Sequence, residues 1–272
     1  MAIVAINGLG RIGRAALKVL TEIDEVHVAA VNDLIPVDNL AYLMRYDSVY
    51  GRYRKPVSVD GAVLTIDGQS IRVYSRRDPG ELPWHELSVE LIFECTGVFR
   101  HQDELAKHLA AGARFVVLSA PARTETIATV VPGVNQHSAG DQIISCASCT
   151  TNCITPIIEI FYRRVGLARA VMTTVHAYTA GQHIVDSASA DFRRGRAAAA
   201  NIVPTSTGAA LATTKALPDL QGRFDGTAIR VPVPIGSIAD ITVVTDRPTS
   251  VAEINQILRE EAASDRYRRV LG

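Results

Sequence analysis

The chain opens on a short unbroken apolar run, Ala2–Asn7, which predicts a buried strand. Gly8-Leu9-Gly10-Arg11-Ile12-Gly13 then leads into helix-spaced apolar positions through about Leu20, and Val26–Val31 predicts a second strand. Together these form a βαβ unit. Leu91–Cys95 and Phe115–Leu118 predict further buried strands, with a helix over Gln102–Ala111 between them that stops at Gly112. Strands alternating with helices imply a doubly wound sheet. Inside this half, Val57–Tyr74 carries Asp60-Gly61 and Asp67-Gly68 between short β-prone runs, the pairs that tight hairpins prefer, so an antiparallel excursion is expected there.

The texture changes at Cys149. Cys149–Val165 predicts a helix perturbed by Pro156, and Ala168–His176 a strand. Tyr178–Asn201 is a long polar segment without a period, which suits a functional loop or an interface. Thr227–Val233 and Ile238–Thr245 read as strands, and Ser250-Val251-Ala252-Glu253 as a capping box opening a last helix to about Ala263. No repeat or low-complexity tract interrupts the pattern. The fold class expected is an α/β Rossmann doubly wound sheet over 1–148, followed over 149–272 by an α+β domain with a mostly antiparallel sheet.

Composition narrows the function classes. The 272 residues are 47% hydrophobic and 21% charged, as in ordinary globular chains large enough for one or two domains. Lys+Arg and Asp+Glu both number 28, so no net field favours nucleic acid or an anionic membrane, and neither partner is expected. No apolar run approaches the roughly 18 residues of a membrane span, and no signal peptide is read at the start. Cys95, Cys146, Cys149 and Cys153 are clustered, which suits chemistry in a reducing cytoplasm better than a disulfide framework.

Two motifs carry chemistry. Gly8, Gly10 and Gly13 form a GxGxxG preceded by a strand and followed by a helix, and Asp33 ends the next strand 20 positions beyond Gly13. Gly8 allows the tight turn, Gly10 lets backbone approach a pyrophosphate, Gly13 lets the helix pack closely, and the helix N-terminus supplies amides and positive dipole. Asp33 would accept from ribose hydroxyls and repel a 2′-phosphate, which favours NAD over NADP. A purely structural glycine turn is the competing reading. In the second motif, Ser148-Cys149-Thr150-Thr151-Asn152-Cys153 sets a cysteine in the first turn of a helix, where the helix terminus stabilises a thiolate and a nearby imidazolium would do so further. A buried structural thiol and a metal site are the alternatives, but no histidine or acid stands at zinc-like spacing from Cys149 and Cys153, so no metal is expected.

The string Ala147–Cys153 resembles the active-site signature of the glyceraldehyde-3-phosphate dehydrogenase family. Asn7–Gly13, Asn32-Asp33, Arg45–Val49, Cys95–Phe99, Ser119–Pro121, Thr173–His176, Pro204–Ala210 and Arg230–Pro232 agree in the same order, so the resemblance spans the chain. It implies that Cys149 attacks an aldehyde carbon, that His176 handles the hydroxyl proton while hydride passes to NAD, and that inorganic phosphate releases the acyl group from the thioester. The cofactor would be held by Gly8, Gly10, Arg11, Ile12, Gly13, Asp33, Arg77, Thr96, Gly97 and Ser119. The substrate phosphate maps onto Thr179 and Arg230, and the attacking phosphate onto Ser148, Thr150, Arg194, Thr207 and Gly208. A solvated face is the alternative for the arginine run at 193–196. The resemblance also implies a homotetramer, with the 178–201 segment lining a neighbour's cofactor site.

The chain departs from the family pattern in places. Ala180-Gly181 stands where Asn-Asp is usual, removing a carboxylate beside the substrate-phosphate site, and Leu211 replaces a usual lysine. Ser187-Ala188 replaces Leu-Pro and resembles forms that also take NADP, so NADP is a second cofactor expectation. The chain stops about 60 residues short of a typical member, which would remove sheet strands, a terminal helix and an asparagine beside the nicotinamide. Erythrose-4-phosphate dehydrogenase, or a catalytically weak NAD-binding protein left by such a loss, are the competing functions.

Overall fold

A computed structural model describes all residues, Met1–Gly272. The chain divides into two compact units, one of Met1–Thr129 with His137–Cys146, the other of Val130–Gln136 with Ala147–Gly272. The second unit thus draws a segment from inside the span expected for the first domain.

The first unit runs β1 (Ala2–Asn7), α1 (Arg11–Leu20), β2 (Val26–Asn32), α2 (Val37–Arg45), a small ribbon of β3 (Tyr46–Asp47) and β4 (Gly51–Arg52), then β5 (Val57–Asp60), β6 (Val63–Ile66), β7 (Gln69–Tyr74), β8 (Leu91–Glu94), α3 (Gln102–Ala110), β9 (Phe115–Leu118), β10 (Ala128–Thr129) and β11 (Ile143–Ser145). Nine strands make one sheet in the order β10-β11-β9-β8-β1-β2-β7-β6-β5. It is parallel from β10 to β7, and only the pairings of β7 with β6 and of β6 with β5 are antiparallel. The chain winds outward from β1 through β2 to β7, then returns to β8 on the other side of β1. That reversal is the switch point of a doubly wound sheet, beside which such sheets bind ligands. Both faces are covered: Val4 and Ile6 enter one apolar cluster and Ala5 the other, as strand alternation requires. The expected hairpin at Asp67-Gly68 forms, with φ of 51° and 83° at its two central residues.

The second unit runs α4 (Cys149–Arg164), β12 (Arg169–Ala177), β13 (Val203–Thr205), α5 (Ala209–Ala216), β14 (Phe224–Val231), β15 (Ser237–Val244) and α6 (Val251–Ala263). Its sheet has the order β13-β14-β12-β15; β12 and β14 are parallel, the other two pairings antiparallel. Ile154 and Ile158 of α4 pack with Ala170, Met172, Leu220 and Phe224 beneath that sheet. Pro156 does not break α4, which stays helical from end to end. The opposite sheet face leaves Val171, Ile238 and Val244 exposed, and Ile184, Val185 and Phe192 are exposed in the long 178–201 segment.

Two local readings need correction. At α6, Ser250 Oγ accepts from Glu253 N–H (3.2 Å), but Glu253 does not complete the capping box: its carboxylate accepts from Thr249 Oγ1 and from Arg247, both at 2.7 Å. A guanidinium is a stronger donor than a neutral amide. The helix α2 went unread because its cap position is Pro36, which has no side-chain acceptor to announce a start.

Buried charge ties the end of the chain to α4. Arg163 donates to Glu159 (2.8 Å) and to Glu261 (2.9 Å), Arg164 donates to Glu261 (2.7 Å), and fully buried Tyr267 donates its hydroxyl to Glu159 (2.7 Å). Hydrogen bonding to Arg163 holds the Glu261 carboxyl below its ordinary value. No helix is long and apolar enough to cross a membrane.

Candidate functional site

In the first unit, a cleft of about 380 Å³ opens where four strands end. Asn7 ends β1 and Gly8 and Gly10 follow it, Asn32 ends β2 and Asp33 and Leu34 follow it, Arg76 and Arg77 follow β7, and Cys95, Thr96, Val98 and Phe99 follow β8. The three glycines fill three different steric roles. A Cβ on Gly8, whose φ is +91°, would stand 2.6 Å from Thr96 N; one on Gly13 would stand 1.9 Å from Gly8 O; one on Gly10 would meet nothing within 4 Å. Gly8 and Gly13 therefore close the turn and pack the helix, while Gly10 leaves its backbone open to a ligand. This matches what a dinucleotide pyrophosphate needs at a helix N-terminus.

Asp33 Oδ2 accepts from Leu9 N–H (2.6 Å) and Oδ1 from Ile35 N–H (3.1 Å), so the acid braces the glycine turn and each oxygen keeps a further lone pair. Among the expected cofactor residues, Gly8, Gly10, Asp33, Arg77 and Thr96 line the cleft. Arg11, Ile12, Gly13, Gly97 and Ser119 fall outside that lining; Ile12 is exposed, Gly13 buried, and Gly97 has φ +71°. Burial pushes the Cys95 thiol up to about 11, with a hydrogen bond to Ser119 opposing. Cys95 is accordingly a poor nucleophile. Cys146 is raised by burial as well.

In the second unit the chain enters α4 through Ala147, which is buried with φ at +56°, a left-handed conformation unfavourable for a residue with a Cβ. Ser148 then caps the helix, its Oγ accepting from Thr151 N–H (3.1 Å). That cap places Cys149 as the first helical residue, exposed, at the positive end of the helix dipole. His176, near the end of β12, brings Nε2 to 3.3 Å from Cys149 Sγ.

Arg230 of β14 sits behind the imidazole, a position set by the pairing of β12 with β14 in which His176 and Arg230 are partners. Arg230 NH1 lies 2.7 Å from His176 Nδ1 and 2.9 Å from the Ala177 carbonyl, which is itself 2.7 Å from Nδ1. The guanidinium and the carbonyl together hold the Nδ1 edge of the ring, which leaves Nε2 facing the sulfur. Burial lowers Arg230 from its usual value, Arg194 lowers it further, and the Cys149 charge pulls it back up. The two guanidiniums therefore share a positive field near the thiol, the character an anionic substrate requires.

The remaining expected residues lie on the same unit. Arg194 donates to Thr205 Oγ1 from Nε (2.9 Å) and NH2 (2.6 Å) and lies 3.7 Å from Asp191. Thr207 Oγ1 accepts from Ala209 N–H (3.1 Å), and exposed Gly208 is the cap residue of α5. Thr150 is buried in the first turn of α4, and Thr179 is exposed beyond β12. No three His, Cys, Asp or Glu side chains stand together in a metal-holding group.

Several contributors escaped the sequence reading. Thr205 fixes Arg194, the Ala177 carbonyl fixes Arg230, and Asn7, Asn32 and Arg76 wall the cleft. Asn7 and Asn32 carried a signal: a polar residue ends each of two apolar strands where they meet the cleft.

Comparison with known proteins places this geometry in a family. Residues 2–102 match the model for the NAD binding domain of glyceraldehyde 3-phosphate dehydrogenase, and residues 148–272 match that for its C-terminal domain. A glyceraldehyde-3-phosphate dehydrogenase of Priestia megaterium is 45% identical over 265 residues, covering 96% of this chain and 79% of the relative. Glyceraldehyde-3-phosphate dehydrogenase 1 of Bacillus subtilis is 46% identical over the same shares. The Streptomyces coelicolor relative of that name is 45% identical over 95% of this chain and 78% of its own length. By both measures, and with a cysteine at a helix start facing a histidine backed by an arginine, this chain belongs to the glyceraldehyde 3-phosphate dehydrogenase family.

Proposed function

We propose that the chain oxidises D-glyceraldehyde 3-phosphate with NAD and inorganic phosphate to 1,3-bisphosphoglycerate, through a thioester on Cys149. The observation that carries this reading is the 3.3 Å approach of Cys149 Sγ to His176 Nε2, with Arg230 fixing the far side of the ring. The thiolate attacks the aldehyde carbon, forming the C–S bond and an oxyanion. His176 Nε2, carrying the proton it took from the thiol, gives it to that oxygen and takes it back as the carbon is oxidised, leaving a thioester. NAD, when bound, supplies the hydride acceptor. Inorganic phosphate then attacks the thioester carbonyl and the sulfur leaves as thiolate, ready for a new cycle.

Gly8, Gly10, Arg11, Ile12, Gly13, Asp33, Arg77, Thr96, Gly97 and Ser119 are the residues we assign to the cofactor. Thr179 and Arg230 are assigned to the substrate phosphate, and Ser148, Thr150, Arg194, Thr207 and Gly208 to the attacking phosphate. The Asp33 carboxylate favours NAD, since a 2′-phosphate beside it would meet like charge. A homotetramer fits the exposed Phe192, Ile184 and Val185 of the long segment and the apolar outer face of the second sheet, and a cytoplasmic setting fits four cysteines that form no disulfide.

The test is NADH formation by the purified chain with glyceraldehyde 3-phosphate, NAD and phosphate, with arsenate expected to replace phosphate. Faster turnover of erythrose 4-phosphate would move the substrate assignment to that aldehyde. NAD binding without turnover of either aldehyde would overturn the dehydrogenase reading.

A further inference from the structure

The cofactor cleft rests on a buried anion whose hydrogen-bond polarity is fixed from both ends. Arg76 N–H donates to Asn32 Oδ1 (2.8 Å) and Asn32 Nδ2 donates back to Arg76 O (2.9 Å), so backbone sets which way the Asn32 amide faces. Asn32 Nδ2 also donates to Asn7 Oδ1 (2.7 Å), which turns Asn7 Nδ2 toward Glu94 Oε2 (2.6 Å). On the other side the Trp84 indole, which can only donate, gives its N–H to His108 Nδ1 (3.0 Å). The proton of that imidazole is then on Nε2, 3.1 Å from Glu94 Oε2, and the contact is one between a carboxylate and a neutral ring. Thr96 donates its N–H to Glu94 Oε1 (2.7 Å), and its hydroxyl accepts from Val98 N–H (3.1 Å) while giving its own proton to the same oxygen.

Four donors thus converge on Glu94, which is 0% exposed, and none of them is a Lys or Arg. A carboxylate accepts from all four. An amide would set a donor against a donor whichever way it turned, a costly arrangement in a dry interior. The two sides of this network differ in what they face. Asn7, Asn32, Arg76, Thr96 and Val98 line the cleft, whereas His108 and Trp84 are fully buried behind it. Thr96 is also the residue against which the Gly8 turn closes.

We infer that Glu94 is a positioning residue for the dinucleotide: it holds Thr96 and Asn7 in register with the glycine turn, with His108 and Trp84 as its rear support. The inference rests on the reading of this cleft as the NAD site. Trp84 is the only tryptophan of the chain, so its emission reports the rear of the network directly.

The experiment measures NAD affinity by calorimetry on the full chain, on Glu94→Gln and on His108→Gln, with Trp84 emission and the alkylation rate of Cys149 by iodoacetamide as controls. Both variants should shift Trp84 emission and leave Cys149 alkylation unchanged. Glu94→Gln should weaken NAD binding about tenfold or more, as expected when a hydrogen bond to a charged group is replaced by a clash of donors. His108→Gln, which touches no cleft wall, should weaken it about threefold, the smaller loss expected of a support acting through Glu94. A folded Glu94→Gln chain with shifted Trp84 emission but the original NAD affinity would overturn the inference and show a purely structural role. If that variant does not fold, unchanged affinity in His108→Gln overturns it equally. Failure of the unaltered chain to bind NAD would remove the cleft assignment itself, and the inference with it.

Discussion

The cleft of the first unit is shaped by glycines at its turn, whereas the cysteine site of the second is assembled from side chains on separate elements. In the cleft, what matters is the absence of atoms: Gly8 and Gly13 let chain segments touch, and Gly10 leaves a gap. In the cysteine site, what matters is the presence of particular atoms: a sulfur at a helix start, a ring nitrogen 3.3 Å away, and a guanidinium behind it. A methyl group added to the first should therefore do harm comparable to a functional group removed from the second.

The largest expected effect is at the sulfur. Cys149→Ser should reduce NADH formation by about 10⁴-fold or more while leaving NAD affinity near its original value, since an alcohol is a far weaker nucleophile. Comparable turnover in that variant, measured at saturating NAD, would refute the nucleophile assignment. Next comes Gly13→Ala, whose Cβ would fall 1.9 Å from Gly8 O. It should cost about 3 kcal/mol of stability by urea unfolding and abolish measurable NAD binding. Gly10→Ala sharpens the contrast, because its Cβ meets nothing: stability should stay within about 0.5 kcal/mol, with NAD affinity falling about tenfold. Equal stability losses in the two glycine variants would mean that the steric distinction drawn between them is wrong.

Smaller effects test features other than the reacting groups and the glycine turn. Glu261 has its carboxyl held below the ordinary 4.5 by Arg163, so its pairing adds stability above that value, and the contribution disappears as pH falls through the lowered folded-state value. Glu261→Gln should therefore be less stable than the original chain at pH 7, by about 2 kcal/mol, with the gap closing toward acid. A gap independent of pH would exclude the ion pair as its source. Smallest is Ala147→Gly, which relieves the left-handed conformation but frees the unfolded chain, for a net gain of about 0.5 kcal/mol in unfolding free energy by urea titration.

The contrast between the units also explains what could be read from residue order. The turn Gly8–Gly13, its flanking strand and helix, and the hairpin at Asp67-Gly68 are decided by neighbours in sequence, and they formed where the pattern put them. The short elements α2, β3 and β4 lacked such local signals. The contacts of Cys149 with His176 and of Arg194 with Thr205 depend on how β12, β13 and β14 pair, so spacing alone could not reveal them; resemblance pointed to His176 and was silent on Thr205. Glu94 stood in plain view as an acid inside the apolar run Leu91–Cys95, but its meaning needed His108 and Asn7, far away in sequence, to be brought beside it.

The assignment of Val130–Gln136 to the second unit bears on anyone wishing to cut the molecule in two. Gly133 lies against the Tyr267 ring, and Arg266 donates to the carbonyls of Gly133 and Val134, so this strip shields an aromatic side chain with no exposed surface. A fragment begun at Ala147 would bare that ring to water and forfeit two anchors for the C-terminal turn. Expressing the catalytic half by itself will call for a graft of this strip, or a circularly permuted chain, rather than a single scission.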